Sequence, residues 1–451
     1  MSSIRLTVGR VIDPAGGIDG KYDLLLRDGQ VYALKPTGAQ NPADASVIDV
    51  RGCWVVPGLI DPHVHLRDPG FPEKETILTG LRAAAAGGFT SVAAMANTSP
   101  VNDNPATTRY MLTRAEEAHS ARLVPVSAVT KGLGGRELVD LAAMVEAGAR
   151  LFSDDGIPID DAMVLSRALD EAKRLGCAVS LHEEDRALSC HGALNAGEVS
   201  KHLGVSGYTD SAESERVRRD LALAIGSGAP VHVAHVSTQA SLDLIRAARR
   251  HGAQVTCEVT PHHFTLDESA AMVWGTNAKM NPPLRSHADV EALLAAIRDG
   301  TIDMIATDHA PHDPNSKQME RVGAFFGPGH GSPHLDTGTA EAFAAAANGV
   351  VGLETALGLA LQLVHRSLID PPRLIAMMSV NPAALLRLQG GTLAEGAVAD
   401  VTIIDPNLDW TVAPEKFLSK SRNTPFAGMR LKGRAVLTIV GGEIVYDGRK
   451  N

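Results

Sequence analysis

Residues 54–61 read WVVPGLID and run directly into PHVH at 62–65. A continuous apolar run is the pattern of a strand buried on both faces. Here its polar chemistry is held back to the C-terminal end. In an extended chain, residues i and i+2 face the same side, so His63 and His65 can present both imidazoles to one ion. The same design recurs outward from this point: FTSVAAM (89–95), RLVPVSAV (122–129), ARLFSDD (149–155), CAVSLH (177–182), PVHVAH (230–235), AQVTCEVTPH (253–262) and DMIATDH (303–309). Amphipathic stretches rich in Ala and Leu lie between several of these runs, as in ETILTGLRAAAAGG (75–88) and STQASLDLIRAARRHG (237–252). Eight strand–helix alternations predict an α/β fold, a (β/α)8 TIM-type barrel.

The ends of the chain read differently. YDLLLRDGQVYAL (22–34) is two short strands about an Asp-Gly turn, and ADVTIID (399–405) with AVLTIVGGEIVYDG (435–448) repeats that chemistry around Gly-Gly. Neither end can build a strong core alone. The expectation is one small β-sandwich domain made from residues 1–56 and 391–451, beside a barrel at 57–390. A chain of 451 residues suits a large barrel with such an appendage. Residues 313–350, dense in Gly, Pro and His, read as a long loop with a short helix at 339–347, and a loop of this length in a compact domain usually has a function or lacks order.

Composition excludes several classes. With 44% hydrophobic and 21% charged residues the chain is an ordinary globular one. A net charge of −10 argues against nucleic acid or an anionic membrane as the main partner. It leaves room for an anionic small-molecule substrate, because a site can be locally cationic. The four cysteines form no C-x-x-C pair and no disulfide framework, and Cys177 and Cys257 sit in apolar runs as reduced core thiols. The N-terminus has no cationic-then-apolar signal pattern, and no apolar run approaches the ~20 residues of a membrane span. The expected compartment is the cytoplasm.

Barrel enzymes carry their chemistry at the C-terminal ends of the strands. There the first run supplies His63 and His65, the fourth Asp154 and Asp155, the fifth His182, the sixth His235 and the eighth Asp308. A lone histidine at a strand end is more often hydrogen-bonded or exposed than a ligand. Five strand ends terminating in His or Asp are a pattern. Imidazole and carboxylate without thiolate favour Zn2+ with positions open to water. Six ligands, counting one residue of the Asp154-Asp155 pair, exceed one tetrahedral ion, so two zinc ions sharing a carboxylate are expected, activating water and polarising a carbonyl. Asp308 can also accept the nucleophile's proton and deliver it to a leaving nitrogen. His262 and His263 read as supporting or structural residues, His330 and His334 as solvated loop residues, and His191, His202, His251 and His287 as surface residues.

DPHVHLRDPG (61–70) resembles the signature of the dihydroorotases of the amidohydrolase superfamily. The likeness to the class I bacterial form continues through MANTSPVNDNP (95–105), LFSDDG (151–156), LHEED (181–185), VAHVST (233–238), EVTPHHFTL (258–266), NAKMNPPLR (277–285), IATDHAPH (305–312), VGLETAL (351–357) and 379–405. The resemblance implies His63, His65 and Asp308 on a first zinc, His182 and His235 on a second, and Asp155 between them, with Asp154 a structural neighbour. It implies that Arg67 and Asn97 hold a substrate carboxylate, and that His65, Asn281, His312 and Gly349 also touch substrate. The implied reaction is reversible hydrolysis of (S)-dihydroorotate to N-carbamoyl-L-aspartate in de novo pyrimidine (UMP) biosynthesis. A homodimer and a complex with aspartate carbamoyltransferase are the implied partnerships.

The chain departs from the family where a Pro-Phe-Gly usually follows the eighth strand. Here the matching stretch is Ala347-Asn348-Gly349, displaced by the long loop, and only Gly349 matches. Two alternatives differ at named residues. Hydantoinases and allantoinases generally bridge their metals with a carboxylated lysine, and GARLFSDDG (148–156) has no lysine. Non-catalytic relatives that only scaffold a carbamoyltransferase have typically lost metal histidines, and this chain keeps them.

Overall fold

Eight parallel strands form a ring in chain order: Leu59–Val64, Phe89–Ala94, Arg122–Ser127, Leu151–Phe152, Ala178–Leu181, Val231–Val233, Val255–Val259 and Met304–Ile305. A bridge between Val64 and His309, with His65 N–H donating to His309 O at 2.8 Å, joins the eighth strand to the first. This computed structural model describes residues 3–38, 45–319 and 335–450. The expected TIM barrel is present.

Helices pack the outside of the ring, and local sequence sets their ends. Ile77–Gly87 starts at Thr76, whose hydroxyl accepts from Thr79 N–H while Thr79 caps in return, and it stops at Gly88 with φ +93°. Ala83 to Ala86 are all buried, because methyl-sized side chains let the helix lie close to the strands. Gln239–Arg250 is capped by Thr238 and buries Leu242, Ile245 and Ala248 on one stripe.

The termini build a second sheet. Its strands run in the order Glu443–Asp447, Arg430–Val440, Val401–Thr411, Trp54–Pro57, Ser3–Asp13, Ile18–Arg27 and Gln30–Pro36, with Ser46–Asp49 also pairing to Ser3–Asp13. The two outer hairpins turn at Asp28-Gly29 and Gly441-Gly442, all four residues at positive φ. Ala399 links the two ends: its N–H donates to Gly29 O and its carbonyl accepts from Gly442 N–H. The sheet therefore curls around its own apolar core, which includes Leu6, Leu24, Leu26, Val55, Val401, Ile403, Leu437 and Ile439.

Two expectations need revision. The run 54–61 is two strands in two sheets. Trp54–Pro57 pairs antiparallel with residues 401–404, and Leu59–Val64 pairs parallel with Phe89–Ala94. The switch falls at Gly58, where an added Cβ would lie 2.2 Å from Thr90 Oγ1. The segment 313–350 is anchored at both ends. Lys317 is fully buried, and the helix is Thr337–Ala345, started by the Asp336 cap two residues before the expected position. His330 and His334 lie outside the described residues.

Candidate active site

The C-terminal ends of the first, fourth, fifth, sixth and eighth strands bring His63, His65, Asp155, His182, His235 and Asp308 together, all buried. Two triads can be drawn, His63–His65–Asp155 and Asp155–His182–His235, and Asp155 belongs to both. Asp155 Oδ1 lies 3.4 Å from His63 Nε2, 3.5 Å from His182 Nδ1 and 3.5 Å from His235 Nε2, while Oδ2 lies 3.5 Å from His65 Nε2. Asp308 Oδ1 stands 3.0 Å from His65 Nε2 and 3.7 Å from His63 Nε2. Ligands about 2.0–2.1 Å from a tetrahedral zinc are separated by about 3.3 Å, and these spacings match the edges of such a coordination shell.

Hydrogen bonds on the far ring nitrogens orient the imidazoles. His63 Nδ1–H donates to Glu258 Oε1 at 2.7 Å, which leaves Nε2 bare toward Asp155. His65 Nδ1–H donates to Asn97 Oδ1 at 2.9 Å. His182 turns the other way, with Nε2 3.5 Å from Glu184 Oε2 and Nδ1 toward Asp155. Its Nδ1 then sits 3.0 Å from His235 Nε2. Two ring nitrogens facing one carboxylate at that separation call for a positive centre among them, a shared proton or a bound cation. His63 Nε2 and Asp155 Oδ1 have no hydrogen-bond partner although buried. Such orphaned atoms fit a bound cation.

The field around the cluster has the same sign. Burial lowers the His63 pKa, but Asp155, Glu258 and Asp308 outweigh it and hold the group well above its usual range. His182 is pushed up to about 9 against its burial by Asp155 and Glu184. Burial would raise Asp155 and Asp308, yet the surrounding imidazoles hold both well below the ordinary carboxylate range. His235 and Asp308 adopt φ +32° and +46°, and Arg67 φ +59°, strained backbone of the kind that gathers at functional sites.

Arg67, Asn97, Asn281, His312 and Gly349 lie around this cluster or on segments bonded to it. Burial draws the Arg67 guanidinium down to about 10, leaving it charged at neutral pH; its Nε donates to Pro311 O at 3.3 Å. Asn281 Nδ2 donates to Glu184 Oε2 at 3.0 Å, and its Oδ1 has no partner. His312 Nε2 stands between Asn348 O at 2.9 Å and Arg67 Nη2 at 3.2 Å; donating to the closer carbonyl leaves Nδ1 a buried acceptor without a partner. Burial and Arg67 hold this ring neutral, with a pKa of about 2. Gly349, at φ +126°, has no room for a Cβ, which would lie 2.4 Å from Ala310 Cβ. Asp154 turns away from the cluster and accepts from Val129 N–H at 2.7 Å and Thr130 N–H at 3.1 Å. His263 bridges Thr260 Oγ1 and Pro282 O, and His262 is buried with its Nε2 unpaired. His191, His202, His251 and His287 are exposed.

Sequence reasoning missed Glu258, which holds His63 and also takes His232 Nε2 at 3.0 Å. Its signal was a lone carboxylate inside the otherwise uncharged strand Val255–Val259. Burial would raise its pKa, but His63 and His232 hold it at about 2. Glu184 was missed for the opposite reason, since it lies just past the fifth strand as one of three consecutive acidic residues.

Among known proteins, a family model described as dihydro-orotase-like matches residues 52–241, and one described as amidohydrolase family matches 365–446. A dihydroorotase of Syntrophotalea carbinolica is 49% identical over 443 residues, 98% of this chain and 99% of that protein. The chain belongs to the dihydroorotase family. A second relative, the dihydroorotase of Citrifermentans bemidjiense, is 49% identical over 97% of this chain and 98% of its own length. Among solved structures, the L-hydantoinase (dihydropyrimidinase) of Arthrobacter aurescens superposes with a TM-score of 0.86 at 25% identity, over 99% of this chain and 97% of that one. The D-hydantoinase of Thermus sp. gives 0.82 at 26%, over 99% and 96%. This dihydroorotase is thus a cyclic amidohydrolase built on the barrel those enzymes share, and it carries Asp155 at the end of a fourth strand that has no lysine.

Proposed function

We propose that this dihydroorotase hydrolyses (S)-dihydroorotate reversibly to N-carbamoyl-L-aspartate at a two-zinc centre, with His63, His65 and Asp308 on one ion, His182 and His235 on the other, and Asp155 between them. The observation that carries this reading is that one buried carboxylate belongs to both ligand triads. Zinc bound there would acidify the attacking water and polarise the ring carbonyl. The remaining steps belong to the chain. Asp308, ionised at neutral pH, accepts the water's proton as the C–O bond forms and returns it to the ring nitrogen as the C–N bond breaks. Arg67 forks onto the substrate carboxylate, and the Asn97 amide N–H2, whose carbonyl is occupied by His65, donates to the same group. Asn281 and His312 each keep an unpartnered acceptor for the amide N–H groups of the ring, and Gly349 is assigned to the same wall on the family resemblance.

The division into terminal-sheet halves at 1–56 and 391–451 and a barrel at 57–390 is proposed on the change of strand pairing at Gly58, with Pro57 the last residue paired in the terminal sheet. Among the described residues no helix is long and apolar enough to cross a membrane. A cytoplasmic location, a homodimer and a complex with an aspartate carbamoyltransferase are proposed on the family resemblance.

The test is an assay of the zinc-loaded protein, with and without a carbamoyltransferase partner, against dihydroorotate, hydantoin and allantoin at neutral pH. Turnover of dihydroorotate with about two zinc ions per chain is expected. Turnover of hydantoin or allantoin alone would sink the proposal. Arg67→Ala should raise KM about 10–100-fold and leave zinc content unchanged, so metal loss in that variant would show the arginine to be misassigned.

A further inference from the structure

Asn423 lies between the strands Val401–Thr411 and Arg430–Val440, in the C-terminal part of the chain, yet it is buried at the mouth of the barrel. Its Nδ2 donates to Ala310 O and to Gly349 O, both at 3.0 Å. Its Oδ1 accepts from His312 N–H at 3.0 Å, and its carbonyl accepts from Val351 N–H at 2.9 Å. One amide therefore ties together the two segments that carry His312 and Gly349.

Lys317 completes the clamp. Its Nζ is fully buried and donates to Lys279 O at 3.1 Å, Ala347 O at 2.9 Å and Gly349 O at 3.0 Å. Burial and the neighbouring Lys279 draw its pKa well below the usual lysine range, yet three carbonyls match the three protons of an ammonium, whereas a neutral amine would set its lone pair against one of them. The Gly349 carbonyl receives both clamps, and its N–H donates to Lys279 O at 2.9 Å. The orientation of the His312 ring follows, because its Nε2–H is bonded to Asn348 O, one residue before the clamped carbonyl.

We propose that Asn423 and Lys317 are positioning residues that set the substrate wall made by His312 and residues 347–349, so that a segment of the terminal region completes the barrel's active site. Neither residue is required to touch substrate. The inference rests on the reading of His312 and Gly349 as substrate contacts. An amide is needed at 423 because an isosteric carboxylate keeps the acceptor for His312 N–H but faces two carbonyls with no proton to give.

The test uses the full-length zinc-loaded enzyme and its Asn423→Asp, Lys317→Met, His312→Ala and His312→Ala/Asn423→Asp variants, measuring kcat, KM for dihydroorotate and zinc content. Asn423→Asp and Lys317→Met should each raise KM about tenfold or more, with a smaller change in kcat and zinc retained. In the His312→Ala background the Asn423→Asp effect should shrink to about threefold or less, because the two residues act through one wall. A KM within about twofold of the parent in Asn423→Asp, beside a raised KM in His312→Ala, overturns the inference alone; so does an undiminished effect in the double variant. An unchanged KM in His312→Ala strikes the substrate-contact reading and the inference with it. If Asn423→Asp does not fold, Lys317→Arg, which keeps the charge without the three-pronged ammonium, carries the same KM criterion.

Discussion

The mouth of the barrel and the curled terminal sheet are built from the same kinds of strand and use their interiors in opposite ways. In the sheet, inward positions are apolar and the core is closed. Its buried carboxylates are answered: Asp23 accepts from Arg5 at 2.6 Å and from the N–H groups of Val8 and Gly38, and Asp13 accepts from the Thr392 hydroxyl and Leu393 N–H. At the mouth, four imidazoles and two carboxylates are buried together, His63 Nε2 and Asp155 Oδ1 have no partner, and His235 and Asp308 stand at positive φ. Burying unpaired polar groups costs roughly 1–3 kcal/mol each, so the mouth is a local liability that the surrounding packing must offset. A region that gathers bare ligand atoms at one point is one that binds something; a region whose buried carboxylates are each answered by N–H or O–H groups is scaffold.

The largest effect that tests this contrast is Asp155→Asn. It should remove the shared donor of both triads, lower bound metal below one ion per chain, and reduce kcat/KM by at least about three orders of magnitude, since several kcal/mol of transition-state stabilisation go with the metal. Metal analysis and kinetics on the folded variant check it, and retained activity would break the comparison. Next, Leu437→Ala in the terminal sheet should cost about 2–5 kcal/mol of unfolding free energy. Its kcat/KM per folded molecule should stay within about twofold of the parent, as read by denaturant titration beside the assay. Glu258→Gln should weaken metal affinity about 10–100-fold by loosening His63, with little change in melting temperature. A large thermal loss without a change in metal affinity would make Glu258 scaffold instead.

The smallest effect concerns pH. Glu213, on the helix Asp210–Ser227, is buried, and burial would raise its pKa. The Arg285 charge and hydrogen bonds from Ser237 bring it below its ordinary 4.5. A depressed native pKa contributes stability that is present above the unfolded value of about 4.5 and lost as pH falls through the native one. Glu213→Gln should therefore lower the melting temperature near pH 7 and flatten its decline between about pH 5 and 3. An unchanged acid slope would place the acid sensitivity elsewhere.

Much of the site was legible because of where a parallel barrel puts its strand ends. His63 and His65 announce themselves by their two-residue spacing, and Asp155, His182, His235 and Asp308 by closing apolar runs. The residues that remained hidden act at long range. Glu258 reaches His63 across 195 positions of sequence, and Asn423 reaches Gly349 across 74 and Ala310 across 113. No local period encodes such pairs. The break at Gly58 was hidden too, since WVVPGLID has one apolar pattern, whichever sheet each half joins.

Sequence by itself determined the barrel, the two-ended sheet and which His and Asp side chains stand at the strand ends, because periodicity and strand-end chemistry are local properties. Tertiary structure alone decided that Asp155 serves both triads while its neighbour Asp154 turns to backbone amides. It also decided that Asn423 and Lys317 meet at one glycine carbonyl. Those outcomes depend on which distant backbone groups converge within about 3 Å, and only closure of the ring brings them there.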